Sequence, residues 1–169
     1  DKFLLNTRGH YYKQEQINSS SDSSLLLEGK SNIKEWSFGT STKYLMNSHS
    51  FQELEIYKTN YRAYEFLNNQ DGSLFETNYF DHSFFQVEVK SNFNYKLVNS
   101  NVGFGMTKEV LSRRDFANNP EQDLRFVYGQ LDATAFKKVN IIFGSRYDHY
   151  NNYSPVISNK LALGVELSN

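Results

Sequence analysis

From Ser83 to Leu97 the chain alternates. Phe85, Val87, Val89, Phe93, Tyr95 and Leu97 share one parity, with Ser91 the interruption, and Gln86, Glu88, Lys90, Asn92, Asn94 and Lys96 share the other. A period of two marks a strand with unlike faces. At helical spacing Phe85, Glu88, Val89 and Asn92 would fall together, which leaves no coherent apolar stripe. The same alternation returns in three other places. Leu161, Leu163, Val165 and Leu167 stand against Lys160, Ala162, Gly164 and Glu166; Val102, Phe104, Met106 and Val110 against Gly103, Gly105, Thr107 and Glu109; Trp36, Phe38, Tyr44 and Met46 against Ser37, Gly39, Ser41 and Lys43.

Less regular runs fill the gaps. Lys2 to Glu15 puts Phe3, Leu5 and Tyr11 opposite Asn6, Arg8 and His10. In Phe51 to Phe66, Leu54 and Ile56 point one way and Tyr57, Tyr61 and Ala63 the other, which predicts a bulge near Ile56-Tyr57. Leu124 to Phe136 and Asn140 to Tyr150 complete the set. The fold class is therefore all-β. It is an antiparallel up-and-down meander of about eight strands, either part of a transmembrane β-barrel or a small one, and residues 1–169 form a single barrel segment.

Connections alternate in length. Short turns are expected at Asn47, Asn99 and Lys137. Long loops are expected near Ser20 (reaching to about Lys34), Asp71 (reaching to His82), Asn118 and Asn151. Tight turns on one rim and long loops on the other are the habit of outer-membrane barrels. A strand of about 11 residues at about 3.3 Å each, tilted by about 40°, spans roughly 27 Å, close to the apolar band of such a barrel. Tyr11, Tyr44, Tyr61, Tyr95, Tyr128 and Tyr147 stand near strand ends, where interfacial girdles form. Gly39, Gly103, Gly105, Gly144 and Gly164 fall opposite the apolar parity. In a barrel that parity faces the lumen, together with Glu88, Lys90, Arg146 and Glu166.

Composition narrows the classes. Lys and Arg number 18 against 19 Asp and Glu, so no basic field marks a nucleic-acid binder. With 14 Phe and 12 Tyr the chain favours strands. The lack of cysteine excludes disulfides and thiolate metal sites. A mean hydropathy of −0.65 and the lack of a long apolar run exclude a transmembrane helix but not a barrel, where alternate residues face lipid. The chain opens in what reads as a strand, with no leader, so it is expected to be a mature or truncated one.

The tail carries the most specific pattern. Phe143-Gly144-Ser145-Arg146-Tyr147-Asp148 is followed by a polar, Asn- and Tyr-rich turn, then by Ser154-Pro155 and the alternating strand to Leu167. This order resembles the mid-barrel hairpin of TonB-dependent outer-membrane receptors, where a Gly-x-Arg-Tyr-Asp strand end precedes a Ser-Pro-Arg strand start. Val156 stands where the family usually has arginine. The resemblance implies location in the bacterial outer membrane and active uptake of a scarce ligand, such as a metal chelate, cobalamin or a glycan, energised through TonB. It also implies a barrel of about twenty-two strands and an N-terminal plug. No plug domain and no TonB box are read in this sequence. The chain is expected to be a barrel fragment, partnered by outer-membrane lipid and able to self-associate through its apolar face or its sheet edges.

Little chemistry competes with that reading. His10, His49, His82 and His149 lack ligand spacing, so no metal is expected. No Gly-x-Ser-x-Gly elbow or Walker loop exists, and Gly103-Phe104-Gly105 lacks the third glycine of a dinucleotide fingerprint. The carboxylate pair Glu53/Glu55 reads as solvated or salt-bridged, and Asn18-Ser19-Ser20 as a chance sequon. No enzyme activity, catalytic residue, cofactor or nucleic-acid partner is expected. Arg146 and Asp148, two residues apart on one face, are the candidate ligand-facing pair at the lumen rim; the competing reading pairs them with charges on a neighbouring strand. Three other architectures fit the periodicity. They are a complete eight-stranded outer-membrane barrel with a structural or adhesive role, a soluble lipocalin-like carrier with an apolar lumen, and a soluble β-sandwich.

Overall fold

A computed structural model describes residues 2–22, 25–135 and 138–165. Its strands are β1 (Phe3–Asp22), β2 (Leu25–Asn47), β3 (Ser50–Asn68), β4 (Leu74–Tyr95), β5 (Val98–Arg113), β6 (Glu121–Ala135), β7 (Val139–Tyr150) and β8 (Val156–Val165). Each pairs antiparallel with the next in one eight-stranded sheet ordered β1 to β8. The all-β, eight-stranded meander is thus what the alternation predicts. Backbone pairing between neighbouring strands, rather than a packed core, holds the sheet together. Indeed, Phe126, at 7% exposure, is the sole buried hydrophobic side chain among the described residues.

The register slips at only two places, between Leu45 and Asn47 and between Leu67 and Asn68. Rows of facing residues therefore run unbroken across the sheet. One row is Leu5, Thr42, Leu54, Val89, Phe104, Val127, Tyr147 and Ile157. The adjacent row, on the opposite face, is Asn6, Ser41, Glu55, Glu88, Gly105, Phe126, Asp148 and Val156. The apolar row is the more exposed: Phe104 is 59% and Ile157 66% accessible. On the polar face, side chains reach over intervening strands to touch one another, so that face is concave.

The outer, apolar face is free of charge over a continuous band. On β5 it reads Val98, Ser100, Val102, Phe104 and Met106; on β7, Val139, Ile141, Phe143, Ser145 and Tyr147; on β8, Ile157, Asn159, Leu161, Leu163 and Val165. The other strands behave alike. No Asp, Glu, Lys, Arg or His occupies an outward position on any strand until Lys13, Lys34, Lys58, Asp81, Lys108, Arg125 and His149. The band is about nine residues deep on most strands. At about 3.3 Å each and a tilt of about 40° that is roughly 23 Å, the height of the apolar belt in outer-membrane barrels.

Several expectations are corrected. The long loop expected near Ser20 is strand: β1 runs to Asp22, β2 starts at Leu25, and Ser20 pairs with Leu27. The loop at Asp71 is confined to Asn69–Ser73 and does not reach His82. Polar residues there do not interrupt the ladder because backbone pairing is indifferent to side-chain polarity. The excess length on that rim is spent as strand extension in β1 to β4, and as residues 114–120 and 151–155 elsewhere. On the other rim the turn expected at Asn99 falls two residues earlier, at Lys96-Leu97. No bulge occurs at Ile56-Tyr57; Leu54 and Ile56 face out while Tyr57, Tyr61 and Ala63 face in. The turn expected at Lys137, the last residue of the expected strand 124–136, and Glu166 lie outside the described residues. A lipocalin-like carrier and a sandwich both require the apolar face to be covered, and here a single sheet leaves it bare.

Turn chemistry is local. In Asn69–Ser73, Gly72 adopts φ of 81°, a conformation that suits a residue without Cβ. The Ser73 hydroxyl and amide both donate to Asp71 Oδ1, at 2.6 and 2.9 Å. They hold the Asp71 carboxyl below the usual carboxylate range. At the opposite rim Lys96 takes φ of 48° with a full side chain, which costs energy that Asn bears more easily. Lys96→Asn is expected to raise stability by about 0.5 kcal/mol, read from the midpoint of urea unfolding in lipid vesicles.

Candidate functional site

The concave face collects the charged side chains. Two adjacent inward rows define its centre: the glutamate row already given, and Leu4, Lys43, Glu53, Lys90, Gly103, Tyr128, Arg146 and Ser158. Glu55 and Glu88 face each other directly across β3 and β4, a pairing that repels unless charge or hydrogen bonds are supplied. They are. Lys90 Nζ lies 3.5 Å from Glu53 and 3.6 Å from Glu55, and Arg8 lies 3.6 Å from Glu55. Glu88 accepts from the Tyr128 hydroxyl at 2.6 Å and from the Gln86 amide at 3.1 Å.

The Tyr128–Glu88 bond crosses a whole strand. It is possible because β5 presents Gly103 and Gly105 inward between β4 and β6. A Cβ on Gly103 would lie 2.5 Å from the Tyr128 ring. A Cβ on Gly105 would lie 2.5 Å from the Val87 carbonyl oxygen and 2.6 Å from the Phe126 ring. The two rings, from neighbouring inward positions of β6, stack 6.3 Å apart over this bare strip. Tyr128 therefore belongs to the concave face and not to an interfacial girdle; so does Tyr61, which pairs in register with His82. Its tyrosine character did not reveal this; the two glycines on the preceding strand are the signal that could have.

Arg146 and Asp148 lie on the concave face, as their parity predicts, and they bond each other. Arg146 Nε donates to both Asp148 oxygens, at 2.8 and 3.0 Å, and its guanidinium lies 4.3 Å from the centre of the Phe126 ring. The expected alternative, ion pairing to a charge on a neighbouring strand, is not the contact made. Arg146 lines a cleft of about 420 Å³ together with Glu88, Tyr128, Gln130, Gly144, Ser158 and Lys160. An arginine fixed on two sides, beside a lysine and a side-chain amide, can orient a polar solute by hydrogen bonding.

A second hollow, of about 540 Å³, lies where the long-connection rim folds over the inner ends of β2 to β4. Ile33, Ala63 and Phe80 are inward residues of its wall. Arg114 closes one side by bonding Glu76 at 2.9 Å and the Thr77 carbonyl at 2.7 Å. The histidines stay apart: His82 Nε2 meets Glu109 at 2.6 Å and His49 Nδ1 meets Ser48 at 2.7 Å. Among the described residues no cluster of three His, Asp or Glu is arranged to hold a metal ion.

No family model matches the chain, and a search of curated proteins found none similar. Among solved structures the chain is similar to the crystal structure of the siderophore receptor PirA from Pseudomonas aeruginosa, with 12% identity and a TM-score of 0.49. The superposition covers 96% of this chain and 37% of that one, so the chain spans well under half of that receptor's length.

The glycine strip sets a sharp contrast between two positions. Gly105→Ala forces a methyl group against a backbone oxygen and is expected to lower stability by about 2 kcal/mol. Gly144→Ala meets nothing closer than 3.6 Å and is expected to change it by less than about 0.5 kcal/mol. Urea titrations of both variants in the same vesicles measure the difference.

Proposed function

We propose that this chain is a lipid-facing segment of an outer-membrane β-barrel that serves TonB-dependent uptake of a scarce solute. The observation that supports membrane placement is the charge-free outward band. An exposed apolar surface of that extent is not kept in water, and its depth fits the hydrocarbon layer. The uptake reading rests on the tail hairpin, where Gly144, Arg146, Tyr147, Asp148, Ser154 and Pro155 follow the receptor pattern. In this reading the concave polar face lines the lumen, Arg146 and Lys160 offer donors to the solute, and the segment itself performs no covalent chemistry. The solute class is a metal chelate, cobalamin or a glycan.

Placement is tested by putting one charge on each face. Phe104→Arg is expected to cost about 2–4 kcal/mol of folding stability in phosphatidylcholine vesicles, whereas Gln130→Arg, on the concave face, costs less than about 1 kcal/mol. Equal costs would refute the polarity. Uptake is tested genetically. Deleting the gene is expected to slow growth when one of chelated iron, cobalamin or an oligosaccharide is limiting, and deleting TonB as well adds no further defect for that nutrient. Unchanged growth on all three would end the transport reading.

A further inference from the structure

Beyond the charge-free band, toward the long-connection rim, the outer face holds a groove of about 600 Å³. Tyr11, Trp36, Lys34, Lys58 and Arg62 line it. Part of its positive charge has no carboxylate partner among the described residues. Register places Lys13, Lys34 and Arg62 directly opposite one another on β1, β2 and β3, with Asp81 next on β4. Like charges directly opposed across strands destabilise a sheet.

The carboxylates nearby are already engaged. Asp81 accepts from Arg62 Nε at 2.6 Å and from Asn60 at 2.8 Å, and Glu15 lies 3.2 Å from Lys13 and 3.6 Å from Lys30. Lys34 has no hydrogen bond or ion pair among the described residues. Lys58 has no carboxylate partner among the described residues; its ammonium lies 5.8 Å from the Trp36 ring centre. Two ammonium groups are thus held in one groove, beside an indole, at the edge of an apolar belt. Cations at that depth meet anionic headgroups, and indole rings favour the same interface.

We infer that this groove binds the phosphate of an anionic lipid headgroup, with Lys34 and Lys58 as the principal donors and the acyl chains running onto the apolar band. The site rests on the proposed barrel, which is what brings the groove level with a lipid surface.

The full chain is first inserted into vesicles of phosphatidylcholine alone, and insertion is scored by protease protection. It is then placed in mixed phosphatidylcholine and phosphatidic acid, extracted gently, and its retained lipids are weighed by native mass spectrometry. The wild type is expected to retain phosphatidic acid in preference to phosphatidylcholine. The double variant Lys34→Gln/Lys58→Gln is expected to lose that preference at least tenfold, while Lys34→Arg and the inward-facing Lys43→Gln keep it. An inserted double variant with undiminished preference overturns the headgroup site and leaves the barrel standing. Displacement of phosphatidic acid by inorganic phosphate also overturns it, since the groove would then be a site for the free ion. A wild type that never inserts overturns the barrel, and the headgroup site with it.

Discussion

The structure depends on a backbone ladder that keeps its register. Seven antiparallel pairings hold eight strands with only two slips, so parity is conserved from one edge to the other. A slip of one residue would exchange the faces of everything beyond it. With parity fixed, one surface can carry a deep uncharged band and the other Glu53, Glu55, Glu88, Lys90, Arg146 and Asp148. The fold is thus specified less by packing, which barely exists here, than by which solvent each face is able to meet.

The polar face is organised by what β5 lacks. Gly103 and Gly105 leave a channel one strand wide, and Phe126 and Tyr128 lie down in it. That brings the Tyr128 hydroxyl to Glu88 and sets Phe126 beneath Arg146. The repulsion between Glu55 and Glu88 is relieved by neighbours on three strands. The result is a charged surface on which Glu53, Glu55 and Glu88 are engaged and Arg146 and Lys160 share the lining of one cleft.

Much of this was legible in the sequence. The alternation in Phe85 to Tyr95 and in Val102 to Met106 fixed those strands and their facing, and the five glycines opposite the apolar parity marked the concave side. Other features were hidden for identifiable reasons. A polar stretch such as Ser19 to Asp22 looks like a loop because composition reports side chains, while a ladder is held by main chain. The pairing of Leu54 and Ile56 against Tyr57 and Tyr61 looked like a bulge because a face lined by tyrosine is apolar in letter and polar in use. The role of Tyr128 needed three dimensions, since it depends on Glu88 and on the glycines of other strands, whereas the Arg146–Asp148 contact lies within β7 and parity left it open beside a pairing across strands.

The open borders of the sheet have an arithmetical consequence. Because strand directions alternate and the strands number eight, β1 and β8 run in opposite senses. Were a cylinder to close through them with every contact antiparallel, whatever intervened would have to come in pairs. A single added strand, or any odd insertion, would force one parallel seam.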